Sequence, residues 1–164
     1  MVKLQTNFGE ITLTLDAEKA PITVANFLQY VDNGFYSNVI FHRVINNFMI
    51  QGGGFDTDMV QKETLAEIKN EADNGLTNDK YTIAMARTSA PHSASSQFFI
   101  NVADNEFLNH TAPTGSGWGY CVFGKVTAGM DVIDQMKKVA TTSRKGHQDV
   151  PVEALIILSA TRSE

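Results

Sequence analysis

Short runs in which every second residue is apolar recur along most of the chain, and this period limits the fold more than any other feature. Successive side chains of a strand point to opposite faces, so such a run buries one face and wets the other. Val2, Leu4, Thr6 and Phe8 alternate with Lys3, Gln5 and Asn7, and Ile11, Leu13 and Leu15 resume the pattern past Gly9, which reads as a half-buried hairpin. Further strand-like runs cover 39 to 45, 48 to 52, 81 to 86, 97 to 102, 119 to 126 and 154 to 161.

Two stretches change period. Val24, Phe27, Leu28 and Val31 fall at i, i+3, i+4 and i+7, with Pro21 near the start and Gly34 just past the end, and so predict an amphipathic helix. Met130, Val132, Ile133, Met136 and Val139 predict a second, shorter helix, with Thr127 as its candidate cap. The expected fold is mainly β: a closed eight-stranded antiparallel β-barrel capped by two α-helices. Closure would remove exposed strand edges. No repeat or linker divides the chain, so residues 1–164 read as one domain, long enough to bury about two thirds of its unfolded surface. The segment 55–80, rich in Asp, Glu, Lys and Asn, is too long for a plain connection and is expected to carry function or local structure.

A formal charge of -5 argues against sequence-independent binding to nucleic acid, which needs a basic stripe. Cys121 is alone, so no intramolecular disulfide forms, and it reads as small apolar filler. The polar alternation from Met1 to Asn7 leaves no room for a secretory h-region, and the apolar run Ala154 to Leu158 is too short to cross a bilayer. A cytoplasmic protein without a membrane partner is expected. His42, His92, His110 and His147 show no metal-ligand spacing, so neither metal nor cofactor is expected. Gly52-Gly53-Gly54 lacks the Lys and Ser/Thr of a phosphate loop and reads as close backbone packing. Asp56-Thr57-Asp58 opens like a calcium loop but has Gln61 where glycine is required, and Gly115-Ser116-Gly117 reads as a flexible turn.

One stretch concentrates chemistry. Phe41-His42-Arg43 and Phe48-Met49-Ile50-Gln51-Gly52-Gly53 fit two paired strands joined by a turn at Asn46-Asn47, which sets Arg43 beside Met49 and Gln51 on one face. His42 then points the other way, into the barrel. Gln97-Phe98-Phe99-Ile100 sets Gln97 and Phe99 on one face too. The combination describes an apolar groove with one aimed cationic donor.

These segments, with Met85-Ala86-Arg87, occur in the order found in the cyclophilin family of peptidyl-prolyl isomerases, and the similarity runs from Pro21-Ile22-Thr23 through Gly124-Lys125-Val126. The chain resembles a bacterial cytoplasmic cyclophilin. The resemblance implies catalysis by Arg43, Gln51 and Phe48, with Met49, Ala86, Arg87, Thr88, Gln97, Phe99, Phe107, Leu108 and Tyr120 binding the substrate. Gln51 would orient Arg43 or the substrate carbonyl, and the backbone at Ala86-Arg87-Thr88 would pair with residues preceding proline. Expected partners are proline-containing peptides and unfolded or flexible protein clients, met by a monomer without cofactor. A non-catalytic module that binds proline segments as a chaperone or assembly factor is the alternative, while a hydrolase lacks a Ser or Cys beside a His.

Four departures from the family pattern stand out. Phe107 replaces a Trp that donates to cyclosporin A, so weaker inhibition is expected. Arg87 replaces a common Asn and adds a cation at the rim, which predicts a preference for acidic residues before proline. Tyr120 stands where His is frequent, and Asp79-Lys80-Tyr81 lacks the glycine expected before its strand.

Overall fold

The computed structural model describes residues 1–162. Eleven strands and two helices follow in the order β1 (Val2–Thr6), β2 (Gly9–Leu15), α1 (Pro21–Asp32), β3 (Val39–Ile40), β4 (Arg43–Ile45), β5 (Met49–Gly52), β6 (Thr82–Met85), β7 (Phe98–Asn101), β8 (Val122–Ala128), α2 (Met130–Met136), β9 (Thr141–Arg144), β10 (His147–Pro151) and β11 (Ile156–Arg162). Nine strands form one antiparallel sheet in the order β3-β11-β1-β2-β8-β6-β7-β5-β4.

The sheet's two edge strands, β3 and β4, are the halves of one chain segment, 39 to 45, broken at Phe41 and His42. Taken as one bent strand, the segment brings the count to eight, but the curled sheet closes through that bend and not through an unbroken ladder. The reason lies in side-chain direction. Phe41 and Val44 both enter the core, which leaves His42 and Arg43 as consecutive outward residues, and a regular strand cannot point two neighbours the same way.

Inside the curl, Phe27 of α1 meets Tyr36, Phe98 and Phe123 at centroid distances of 5.2, 5.6 and 5.1 Å. Pro21 occupies the first turn of α1, where no side chain of its own caps the free N–H groups. Glu71 supplies the cap from the long segment: its Oε1 accepts from Thr23 N and Thr23 Oγ1, each at 2.7 Å. The expected local structure of 55–80 therefore exists, and one of its jobs is to anchor α1. Cys121 is buried beside Thr23, and burial pushes its thiol up to about 11, as inert filler requires.

Three expectations need correction. Gly129, with φ 90, caps α2, while Thr127 lies within β8. The hairpin β9–β10 has no counterpart in the sequence reading. His42 packs outside the barrel core, against Phe55 at 4.5 Å and His147 at 6.2 Å between ring centroids.

At that position burial, then the nearby His147 ring and the Arg43 guanidinium, lower the His42 pKa to about 4, and its Nδ1 has no partner among the described residues. An unfolded chain takes up this proton near pH 6.5, whereas the native one resists until about 4. Stability is thus unaffected above the unfolded value, falls as pH drops from 6.5 toward 4, and stays at the lower level below it. The whole loss is about 3 kcal/mol. Denaturant unfolding at pH 7 and pH 4.5 should show His42→Gln losing less stability than the parent over that interval; equal losses would assign acid sensitivity to other groups.

Candidate active site

Arg43 pairs with Gln51, and Gln51 with Phe99, across β4, β5 and β7. The outward side chains of these strands meet Phe48, Ala86, Arg87, Leu108 and Tyr120 around a cavity of about 130 Å³. An apolar cavity of about 150 Å³ accepts a benzene ring, so this one suits a five-membered ring. Met49 and Phe99 form its buried floor, and Tyr120 stands edge-on to Phe99 at 5.6 Å.

The Arg43 side chain is exposed and makes no hydrogen bond or ion pair among the described residues. Its guanidinium is free to meet a ligand at the mouth. Gln51 does not bond to it. Gln51 Nε2 donates instead to Gln97 Oε1 at 3.0 Å, which leaves Gln51 Oε1 open. Gln97 therefore stands behind the wall as support for Gln51, and the glycines explain how it fits. A Cβ at Gly54 would lie 2.5 Å from Gln97 Cγ, and one at Gly52 would lie 2.6 Å from the Ile40 carbonyl oxygen. Close packing, as expected of this triplet, is what excludes side chains there.

Arg87 is pinned at the rim. Its Nε donates to the Gly119 carbonyl at 2.9 Å, one Nη donates to the Thr88 carbonyl at 2.8 Å, and the guanidinium lies 4.6 Å from the Tyr120 ring centroid. The backbone beside it is only partly available. Ala86 N–H donates to the Gln97 carbonyl and Thr88 N–H to Ser93 Oγ, each at 3.0 Å, while the Ala86 carbonyl and the N–H and carbonyl of Arg87 have no partner among the described residues. The Ala86 carbonyl and both backbone groups of Arg87 are thus the part of Ala86-Arg87-Thr88 left open at the rim. Thr88 is turned toward Ser93 and does not line this cavity. Phe107 is 74% exposed and stacks on Phe48 at 5.6 Å, beside the cavity and not in its wall.

A chain of four amides, none of them among the expected site residues, braces the Phe48 turn. Asn105 Nδ2 donates to the Phe48 carbonyl and to Asn101 Oδ1, both at 2.8 Å, Asn101 Nδ2 donates to Asn78 Oδ1 at 3.0 Å, and Asn78 N–H donates to Asn109 Oδ1 at 2.7 Å. The chain ties the Phe48 turn to the segment carrying Leu108. Asn101, directly after Phe98-Phe99-Ile100, was the available signal, because a buried amide needs partners. No three His, Cys, Asp or Glu side chains gather as a metal-ion ligand set among the described residues.

The family model for the cyclophilin type peptidyl-prolyl cis-trans isomerase/CLD matches residues 1–162. The chain belongs to the cyclophilin family. It is 64% identical over 159 residues to peptidyl-prolyl cis-trans isomerase cyp18 of Streptomyces antibioticus, covering 97% of this chain and 96% of that one. Identity to peptidyl-prolyl cis-trans isomerase B of Escherichia coli is 60% over 164 residues, with both chains fully covered. Among solved structures, a cyclophilin of Cryptosporidium parvum in the presence of the dipeptide Ala-Pro superposes with a TM-score of 0.76 at 27% identity, covering 99% of this chain and 98% of that one. With relatives this close in the family, the protein is a peptidyl-prolyl cis-trans isomerase.

Proposed function

We propose that Arg43 performs the isomerisation by donating a hydrogen bond to the prolyl amide as it twists, while the cavity floored by Met49 and Phe99 holds the proline ring. The observation that carries this reading is the Arg43 guanidinium, unpartnered among the described residues, at the mouth of a ring-sized cavity with an apolar floor. Rotation about an Xaa-Pro bond must break amide resonance, a barrier of roughly 18–20 kcal/mol. Bringing the half-time to milliseconds needs about a 10⁴- to 10⁵-fold acceleration, or roughly 5.5–7 kcal/mol. One aimed donor in a dry site contributes about 2.7–4 kcal/mol of that. Anchoring one side of the bond contributes more: the free Arg87 N–H and carbonyl hold the residues before proline, and Gln51 Oε1 accepts from the substrate backbone. Binding thus favours the twisted state over either planar isomer.

The clients are flexible, proline-containing segments of cytoplasmic proteins, met by a monomer. No helix among the described residues is long and apolar enough to cross a membrane. Exchange NMR on a short Ala-Pro peptide with catalytic amounts of protein tests the reading: cis/trans cross-peaks should grow, whereas line shifts without faster exchange would leave a proline-binding module.

The fixed guanidinium of Arg87 gives substrates with Glu before proline a several-fold higher kcat/KM than those with Lys, and equal turnover would remove that role. At the opposite rim, Phe107 offers cyclosporin A a ring but no N–H. Phe107→Trp should tighten cyclosporin A binding by about tenfold, the value of one neutral hydrogen bond, while Ala-Pro turnover changes little. Unchanged affinity in a calorimetric titration would show that the position does not face the inhibitor.

A further inference from the structure

A second and larger cavity, about 560 Å³, opens on the same outer sheet face beyond β6, and the proline site does not use it. Its volume lies within the usual range for ligand sites. Leu15, Leu76 and Val122 make an apolar floor. Around that floor stand three carboxylates, Asp16, Glu18 and Asp79, against the single cation Lys125. None of the four takes part in an ion pair among the described residues, where the ion pairs present are Lys137–Asp134 and Arg162–Asp32. Glu18, Asp79 and Lys125 are exposed. The cavity therefore carries an excess of uncompensated negative charge over an apolar base.

Its position ties it to the proline site. Gln51, Phe99, Ala84 and Val122 are successive cross-strand partners over β5, β7, β6 and β8. Three strand spacings put Val122 about 14 Å from Gln51 along the sheet. Val122 packs in one apolar cluster with Met49, Ala84 and Phe99, and Leu76 leans on the same cluster. The floors of the two cavities are thus joined through Val122, Ala84 and Phe99, with Leu76, Leu108 and Tyr120 packed against that strip. A fully extended peptide advances at most about 3.3–3.6 Å per residue, so four residues span the distance and up to six do so when the chain bends over Leu108 and Tyr120.

We propose that this cavity is a second substrate site, which takes a Lys or Arg side chain of the client four to six residues from the proline held beside Arg43. The aliphatic stem of such a residue lies on Leu15, Leu76 and Val122 while its charge meets Glu18 and Asp79. The inference rests on the isomerase reading of the Arg43 cavity. It adds selectivity through KM, because the contact is equal for the planar and twisted prolyl bond.

Exchange kinetics on peptides that carry one Ala-Pro and a Lys, Ala or Glu five residues to either side test it, with ¹⁵N spectra of the protein recorded alongside. Lys on one side should lower KM about fivefold at unchanged kcat and shift the amides of Leu76, Thr77 and Lys125. Glu18→Gln combined with Asp79→Asn should abolish that advantage, and Lys125→Glu should enlarge it. Raising salt to 0.5 M should shrink it. Equal KM for the three peptides, or equal amide shifts with Glu, would overturn the second site. Turnover of the Ala peptide reports on the isomerase reading separately, since that peptide cannot use the acidic cavity.

Discussion

Arg43→Ala is expected to lower kcat/KM for an Ala-Pro peptide by about 10²- to 10³-fold, as the loss of one aimed donor does at comparable sites. The fold should not change, because Arg43 is exposed on β4 and none of its side-chain atoms bonds to another group among the described residues. Peptide affinity should fall far less than turnover, since the floor from Met49 and Phe99 stays. This split separates a catalytic donor from a residue that only shapes the groove. Arg43→Lys keeps the charge but loses the planar fork and carries a more strongly hydrated head, so it should recover only part of the rate. Full activity in either folded variant, read by exchange NMR with thermal unfolding as control, would sink the donor role.

The groove around Arg43 was legible because its strands obey a simple period. Met49 and Gln51 alternate with Ile50, and Phe99 alternates with Phe98 and Ile100, so one pattern separates the groove face from the core face. The same pattern failed where the chain breaks it. At His42 and Arg43 two successive residues face outward, and no apolar alternation announces that. The β9–β10 hairpin was hidden because Thr141–Arg144 is exposed on both faces, which removes the hydrophobic signal. Its mark was the turn itself: Lys145 and Gly146 have φ of 49° and 82°, the doubly positive geometry of a tight hairpin. Tyr81 shows the opposite case. The glycine expected before β6 is absent, yet the backbone still takes the left-handed form, with φ 71, and Tyr81 OH donates to Asp134 on α2 at 2.9 Å. A tertiary contact holds a conformation that local propensity would assign to glycine. Nothing in the order of residues tells that Ser93, five positions on, accepts from the Thr88 N–H.

Phe98 and Phe99 are adjacent, alike in chemistry and both buried, yet their replacement should have opposite consequences. Phe98 points into the curl, where Phe27, Tyr36 and Phe41 meet it edge-on at 5.6, 5.5 and 6.0 Å, and the missing Cβ of Gly53 makes room for its ring. Packed on every side, the site cannot collapse, so Phe98→Ala should cost about 3–5 kcal/mol. For a domain of this size that lowers Tm by roughly 6–20 °C. Turnover per folded molecule should survive below the transition, because Phe99 and the Arg43–Gln51 pairing keep their strands. Phe99 points outward, and its ring forms the floor of the cavity proposed to hold the proline. Phe99→Ala opens that floor to water, which removes about 1–3 kcal/mol of contact with the bound ring and lowers kcat/KM about 10- to 100-fold. Its Tm should fall less, since solvent can enter the space left. Measuring unfolding and peptide exchange on both variants therefore tests the assignment of faces. If the two lost stability and activity in the same proportion, β7 would not divide core from site, and the alternation from which the groove was read would have no functional meaning.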